Sequence, residues 1–401
     1  MEEETQREDN QQQVLKVLEA LKQISRNLKN KPTQNLNSNS IKALLELETE
    51  GYTILFKDPN LQNLSNHLTK LKQIIHNNHL PNSHTHGIRS FIRRRITNHE
   101  ISKLAESIET EIQAWIDRES VENLVKFVQN SDGDTNEDDD DEKVKLLTQF
   151  ENRVLQGFNR DLQDLVLKFK VFNVLETLVC NPKNSLKLKE AAAFAVGGLV
   201  EFNKDVFVGE VLMGPIIPAL ISMGSSTSTC SIQVLCSLIR SIKSPLVDEI
   251  ETNGLIPKII KLLGLENEPS IRVTALDCVL EIGYFGRKEA VDAMLEEGLV
   301  KKLVELQRSQ LGGCLIDMGD RFEDDDEKVK TRDRRDREYL EEHPFVSCVS
   351  RFWIQLDVGE GLRQREKRAF KLEILQRVRE ACDSDSDAAT ILAEVLWGSS
   401  L

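Results

Sequence analysis

The sequence predicts an all-α fold built as a solenoid of stacked helical repeats, and three observations support this prediction. Apolar residues recur at steps of three and four, which places them on one face of a helix. Aromatic residues make up only 5% of the 401 residues, which favours helix-on-helix packing over sheets. A phrase of a short helix and a glycine corner also recurs at an interval of about 40 residues, which is typical of helical repeat arrays.

The first part of the chain, residues 1–98, predicts a small helical bundle. One apolar stripe runs from Val14 to Leu28, and another runs from Leu61 to Ile75. A further helical stretch is expected between them, from Ile41 to about Phe56. Three amphipathic helices of this kind can bury their apolar faces against one another.

The repeated phrase ends at Gly214, Gly254 and Gly298, which are 40 and 44 residues apart. Glycine after a helix can take the left-handed conformation at little steric cost. Proline in the first turn of the next helix, as at Pro215 and Pro257, gives up an N–H that would have no partner in any case. Each phrase therefore predicts a short helix, a corner and a second helix, followed by a longer third helix.

A single unit of this kind cannot bury its apolar face alone, so the units are expected to stack. The domain prediction is a bundle at 1–98, repeats at 99–358 and a C-terminal helical cap at 359–401. The five predicted units are 100–158, 159–202, 203–242, 243–286 and 287–358.

The Gly-x-(Ile/Val)-Pro corners and the alanine-rich helix from Ala191 to Val200 resemble the armadillo-repeat family. The resemblance is clear over residues 160–308. It implies a right-handed superhelix whose third helices line a concave groove that binds other proteins. The order of a helical bundle followed by an acidic array is similar to that of plant armadillo proteins. Residues 1–160 contain neither the Cys-Pro-Ile core nor the Trp-Leu helix of a U-box, so ubiquitin-ligase activity is not expected.

Armadillo proteins that grip extended peptides resemble one another in an Asn near the end of each third helix. The matching positions here are Gly198, Ser237 and Cys278. Because this Asn ladder is missing, the resemblance does not imply importin-like recognition of nuclear-localisation peptides. A folded surface or a helix is the alternative occupant of the groove.

The expected function is that of a non-catalytic scaffold or adaptor for partner proteins. Helical periodicity places Arg240, Arg272 and Glu281 at exposed polar positions of the third helices, and these are the expected contact residues. One alternative is a non-catalytic partner of a ubiquitin-ligase complex. Another is a membrane-peripheral adaptor that uses the basic amphipathic segment 88–96.

Two acidic phrases nearly repeat each other, one from Glu137 to Lys145 and the other from Glu323 to Lys330. They fall in inserts at about 131–143 and 310–340, each between the second and third helix of a unit. Blocks of like charge this dense are expected to stay disordered. They either act as solubilising tethers or form mobile anions that attract basic partners and compete with acidic ones.

Composition and motifs argue against several other functions. The net charge of −14 makes general nucleic-acid binding a poor expectation. The sequence has no phosphate-binding, dinucleotide, serine-hydrolase or zinc-protease motif, so neither enzymatic activity nor a cofactor is expected. Four histidines between His76 and His86 could bind zinc or nickel, but no Cys or carboxylate lies among them, so no metal site is expected.

The seven cysteines are scattered and form no C-x-x-C pair, which indicates a reducing compartment and buried thiols. Cys314, in a glycine-rich stretch, is the alternative candidate for a regulatory thiol. The N-terminus is acidic and lacks the apolar core of a secretory signal. The expected location is therefore the cytoplasm, the nucleus or both.

Overall fold

The computed structural model describes residues 14, 16–26, 29, 61–79, 88–129, 137–226, 228–265, 268–312 and 342–397. The contacts divide the chain into two units. The first comprises Met1–Lys126 and Asn159–Phe169, and the second comprises Phe127–Phe158 and Lys170–Leu401. Within the described ranges every regular element is a helix, in agreement with the predicted fold class.

The first unit is built around three helices, α1 (16–26), α2 (Gln62–His79) and α3 (Ile88–Gln129). Its core confirms the predicted stripes of α1 and α2, which pack with the middle of α3. At the edge of this core the Ser25 hydroxyl donates to the Ala105 carbonyl oxygen over 2.9 Å. The buried residues are Leu18, Leu21, Leu61, Leu64, Leu68, Leu71, Ile101, Ala105, Ile108, Ile112 and Trp115. A short helix, α4 (Arg160–Lys168), also belongs to this unit, although it follows the helix at Glu137–Val154 in the chain.

The first domain boundary differs from the prediction. Helix α3 is 42 residues long and passes through 98 and 99 without a break. Ile101 and Ala105, just beyond the expected boundary, are buried in the same core as the residues before it. The predicted helical stretch from Ile41 to Phe56 lies outside the described residues.

The first acidic phrase also differs from the prediction, because it begins a helix. Helix α5 spans Glu137–Val154, so the acidic run lies in its first turns. Carboxylates at a helix N-terminus interact favourably with the helix dipole. Further along, Leu147, Phe150 and Val154 are buried and anchor the helix. The insert between α3 and α5 is therefore shorter than expected, whereas most of the second one, residues 313–341, lies outside the described residues.

Most helices of the second unit follow the predicted repeats. The unit 159–202 supplies α6 (Val171–Cys180) and α7 (Leu186–Phe202). The next three units supply, in order, α8 (Lys204–Met213), α9 (Ile216–Ser225), α10 (Thr229–Ile242), α11 (Ser244–Thr252), α12 (Ile256–Leu262), α13 (Pro269–Phe285), α14 (Lys288–Glu296), α15 (Leu299–Gln307) and α16 (Cys348–Val358).

Equivalent helices of successive repeats pack side by side. The third helices α5, α7, α10, α13 and α16 form one row in which each contacts the next. The second helices α6, α9 and α12 form another row, and the first helices α8, α11 and α14 form a further one. This stacking buries the apolar face of each repeat against its neighbours, as a solenoid requires. The second unit is thus an all-α solenoid of armadillo-like three-helix repeats.

The glycine corners follow the prediction at two of three positions. Gly254 and Gly298 are left-handed, with φ of +61° and +79°. Gly214 has φ −92°, so the left-handed prediction is wrong there. Glycine is required at position 214 for a steric reason instead. A Cβ there would lie 2.7 Å from the Glu210 carbonyl oxygen and would also clash with the Glu176 carboxylate.

Two helices close the second unit after α16, namely α17 (Gln364–Ala381) and α18 (Asp385–Trp397). Helix α17 packs on α15, and α18 packs on both α16 and α17. The Arg377 guanidinium donates to the Leu295 carbonyl oxygen over 2.8 Å. Both helices lie within residues 359–401, for which the sequence predicts a C-terminal helical cap.

Candidate protein-binding face

The row of third helices carries a polar face. In α10, Ile232, Leu235 and Ile239 are buried, whereas Gln233 and Arg240 are exposed. The same division of apolar and polar sides recurs in the neighbouring third helices. We call the polar side the third-helix face, and its residues are Glu151, Glu201, Gln233, Ser237, Arg240, Asp277, Glu281, Arg351 and Gln355.

Side chains on this face connect one repeat to the next. The Ser237 hydroxyl donates to Glu201 Oε1 over 3.1 Å and links α10 to α7. Arg240 Nε lies 3.7 Å from Glu281 Oε1 and links α10 to α13. These contacts involve partly exposed polar groups, so a protein that approaches the face can compete for them.

A cavity of about 360 Å³ opens on this face between α10, α13 and α16. Its lining is mostly polar and contains both an exposed cation and two carboxylates. The lining residues are Gln233, Cys236, Arg240, Thr274, Asp277, Leu280, Glu281 and Gln355. A depression that combines polar side chains with an apolar one can accept a protruding side chain of another protein.

Three carboxyl groups of the face are partly removed from water. Partial burial raises the pKa of Asp277, while the Arg351 and Arg240 guanidinium groups act in the opposite direction. Partial burial also raises the pKa of Glu281, against the effect of Arg240. For Glu151 both burial and the neighbouring Glu201 carboxylate raise the pKa. Ionised carboxylates in such positions are destabilised by incomplete solvation.

The structure brings two of the three predicted contact residues together. Arg240 and Glu281 line the same cavity and pair with each other. Arg272 does not line this cavity, although it lies on the same helix as Glu281. The two residues are nine positions apart, which is about two and a half helical turns and therefore places them on opposite sides of α13.

The positions that match the missing Asn ladder do not share one environment. Ser237 lies on the third-helix face, but Gly198 is buried and Cys278 is fully buried. A Cβ on Gly198 would lie 3.1 Å from Val154 Cγ2, so this glycine permits close packing of α5 and α7. The neighbour of Cys278, Asp277, is one of the α13 residues that line the cavity.

The basic segment and the histidine-rich stretch lie partly or wholly outside the described side chains. Arg95 and Ile96 of the basic segment are exposed, and the side chains of residues 88–94 lie outside the described part. The histidine-rich stretch from His76 to His86 also lies outside the described side chains. In the ranges that are described, no group of three His, Cys, Asp or Glu side chains could hold a metal ion.

The cysteines of the described part are free thiols in two settings. Cys236, Cys278 and Cys348 are buried, in agreement with the prediction for buried thiols. Cys180, Cys230 and Cys382 are partly accessible. Cys314 lies outside the described residues.

None of the described helices alone is both long and apolar enough to cross a membrane. Helices α8 and α9 reach a sufficient length and apolar composition only when taken as a pair. These two helices are bent by 69° relative to each other.

No protein-family model matches the sequence, and no curated protein matches it. Solved structures of designed helical repeat proteins are similar to this chain at low identity. An engineered protein aligns with 16% identity, 68% of this chain, 98% of its own chain and a TM-score of 0.42. A designed armadillo repeat protein aligns with 13% identity, 68% and 99% coverage and a TM-score of 0.41. A computationally designed armadillo repeat protein for modular peptide recognition aligns with 16% identity, 69% and 98% coverage and a TM-score of 0.39.

Proposed function

We propose that this chain is a non-catalytic scaffold or adaptor that binds partner proteins through the third-helix face, in the cytoplasm or nucleus. The observation that carries the proposal is the unbroken row of third helices from α5 to α16. Its buried side holds the solenoid together, and its polar side is left for another molecule. Stacked repeats commonly use an extended surface of this kind for binding.

The cavity lined by Arg240, Asp277 and Glu281 is the expected centre of partner binding on that surface. Energetically important contacts usually cluster where a side chain enters a desolvated pocket and polar groups surround it. The partly desolvated carboxylates fit such a role, because a partner that supplies hydrogen-bond donors would stabilise them.

Site-specific photo-crosslinking in the full chain tests this proposal. A photoreactive amino acid would replace Gln233 or Gln355 on the third-helix face, and the matched control would replace Glu296, which is exposed at the end of α14. We expect the same partner, identified by mass spectrometry, to crosslink at Gln233 and Gln355 but not at Glu296. Equal crosslinking at Glu296, or none at the two face positions, would contradict the proposal.

A further inference from the structure

A second cavity, of about 630 Å³, lies on another part of the solenoid. It is bordered by the end of α12, the first turn of α13, helix α15 and the residues that follow α15. Its lining residues are Leu263, Gly264, Arg272, Lys302, Glu305, Leu306, Ser309, Gln310 and Leu311. None of these residues lines the cavity that contains Arg240 and Glu281.

Arg272 lines this cavity and packs against an aromatic ring. Its guanidinium carbon lies 5.1 Å from the centroid of the Phe345 ring, and Phe345 is itself fully buried. The Arg272 Nε atom is buried and has no hydrogen-bond partner among the described residues. A buried donor that remains unpaired is costly, so an acceptor that reached the Arg272 guanidinium would relieve this cost.

The charged side chains of the cavity leave a net positive charge that an anion can neutralise. The Lys302 ammonium lies 3.0 Å from Glu305 Oε2, so these two charges largely offset each other. The Arg272 guanidinium then supplies the excess positive charge. Two buried leucines, Leu263 and Leu306, form an apolar part of the wall. The cavity thus combines one cationic donor with apolar surface, the usual composition of a specific binding pocket.

We propose that the Arg272 cavity binds a carboxylate attached to an apolar body, such as a Glu side chain flanked by leucines in a peptide. The carboxylate accepts hydrogen bonds from the Arg272 guanidinium, and the apolar part packs on Leu263 and Leu306. A planar guanidinium suits this role because its fork of N–H groups matches the two oxygens of a carboxylate. We assign the peptide to a partner protein, because the acidic run Glu323–Glu327 of this chain contains no leucine.

Fluorescence polarisation with the full chain tests the proposal. The probes are short labelled peptides with one Glu between leucines, and the same peptides with Gln in place of Glu. We expect the Glu peptides to bind about tenfold more tightly, because a hydrogen bond to a charged group is lost with Gln. Arg272→Lys keeps the charge but removes the fork and should reduce this preference, and Arg272→Leu should abolish it. Arg287→Leu is the matched control, because Arg287 is an exposed arginine of the α14 N-terminus.

A variant with Glu323–Glu327 changed to Gln and Asn distinguishes the two sources of the carboxylate. We expect unchanged peptide affinity in this variant, whereas a rise would show that the acidic run of this chain occupies the cavity and would overturn the assignment to a partner protein. The proposal is overturned if the wild type does not prefer Glu over Gln peptides, or if it binds neither. It is also overturned if Arg272→Lys, with an unchanged thermal midpoint, and Arg272→Leu both keep the full preference.

Discussion

Arg240 on α10 and Glu281 on α13 form an ion pair across two neighbouring repeats, with Nε and Oε1 3.7 Å apart. The Arg240 side chain is 60% exposed and that of Glu281 is 25% exposed. Exposed pairs of this kind are screened by water and salt, and they contribute little to stability. The pair therefore contributes more to the surface that a partner meets than to the folding of the solenoid.

Replacing Arg240 should separate stability from binding. We expect Arg240→Gln to change the free energy of unfolding by less than about 1 kcal/mol, because the pair is exposed. It should nevertheless reduce partner crosslinking at Gln233. Arg287→Gln is a matched control, since Arg287 forms a similarly exposed pair with Asp248 at 3.1 Å between first helices. Urea unfolding and the crosslinking assay measure the two effects, and equal loss of crosslinking in both variants would contradict this prediction.

Adjacent glycines in α7 should respond differently to alanine. A Cβ on Gly197 would lie 3.6 Å from Val234 Cγ1, an ordinary contact, whereas one on Gly198 would lie 3.1 Å from Val154 Cγ2. Alanine is favoured over glycine within a helix by about 1 kcal/mol. We therefore expect Gly197→Ala to raise the thermal midpoint, and Gly198→Ala to gain less or to lower it. A larger gain for Gly198→Ala would show that α5 and α7 are not closely packed there.

The repeat phase could be predicted because glycine and proline act locally at the corners. Helices α8 to α13 accordingly begin and end within the predicted units. Gly214 shows the limit of this reasoning, because the space around it is restricted by Glu176, which is distant in sequence, as well as by the nearby Glu210 carbonyl. The acidic run at the start of α5 shows another limit of local reasoning. This helix is held in place by the buried residues Leu147, Phe150 and Val154 farther along the chain.

The candidate contact residues could be predicted only in part. Helical periodicity identified Arg240 and Glu281 as exposed, but it gave no information on which residue of the neighbouring helix each would meet. The separation of Arg272 and Glu281 is a signal that the sequence did contain, because nine residues place them on opposite sides of a helix. Asp277 could have been found in the same way, since it lies one turn before Glu281.

Thiol reactivity should divide the cysteines of the described part by burial. Burial raises the pKa of Cys348 to about 12. A hydrogen bond with Cys236, together with burial, raises the pKa of Cys278. Because thiolates are the reactive form, we expect iodoacetamide at pH 8 to modify Cys180, Cys230 and Cys382 before these buried thiols. Mass spectrometry of the native chain measures the order, and unfolding in urea should remove it.

The buried carboxyl group of Glu394 should make the stability of the C-terminal cap depend on pH. Gln307 Nε2 donates to Glu394 Oε2 over 2.9 Å, which joins α15 to α18. The Ser350 hydroxyl on α16 donates to the backbone oxygen of the same residue over 3.0 Å. Burial raises the pKa of the Glu394 carboxyl, and the bond from Gln307 only partly opposes this effect. Since the folded-state pKa lies above the unfolded one, the stabilisation is present below the unfolded value and is lost as pH rises through the folded value.

Glu394→Gln removes this titration while it keeps the size of the side chain and an oxygen acceptor for Gln307. We therefore expect the difference in the free energy of unfolding, variant minus wild type, to become more favourable to the variant as pH rises from about 4 to 7. Glu297→Gln is the control, because Glu297 is exposed after α14. Urea titrations at several pH values measure the difference. A pH-independent difference for Glu394→Gln would mean that this carboxyl group titrates normally in the folded chain.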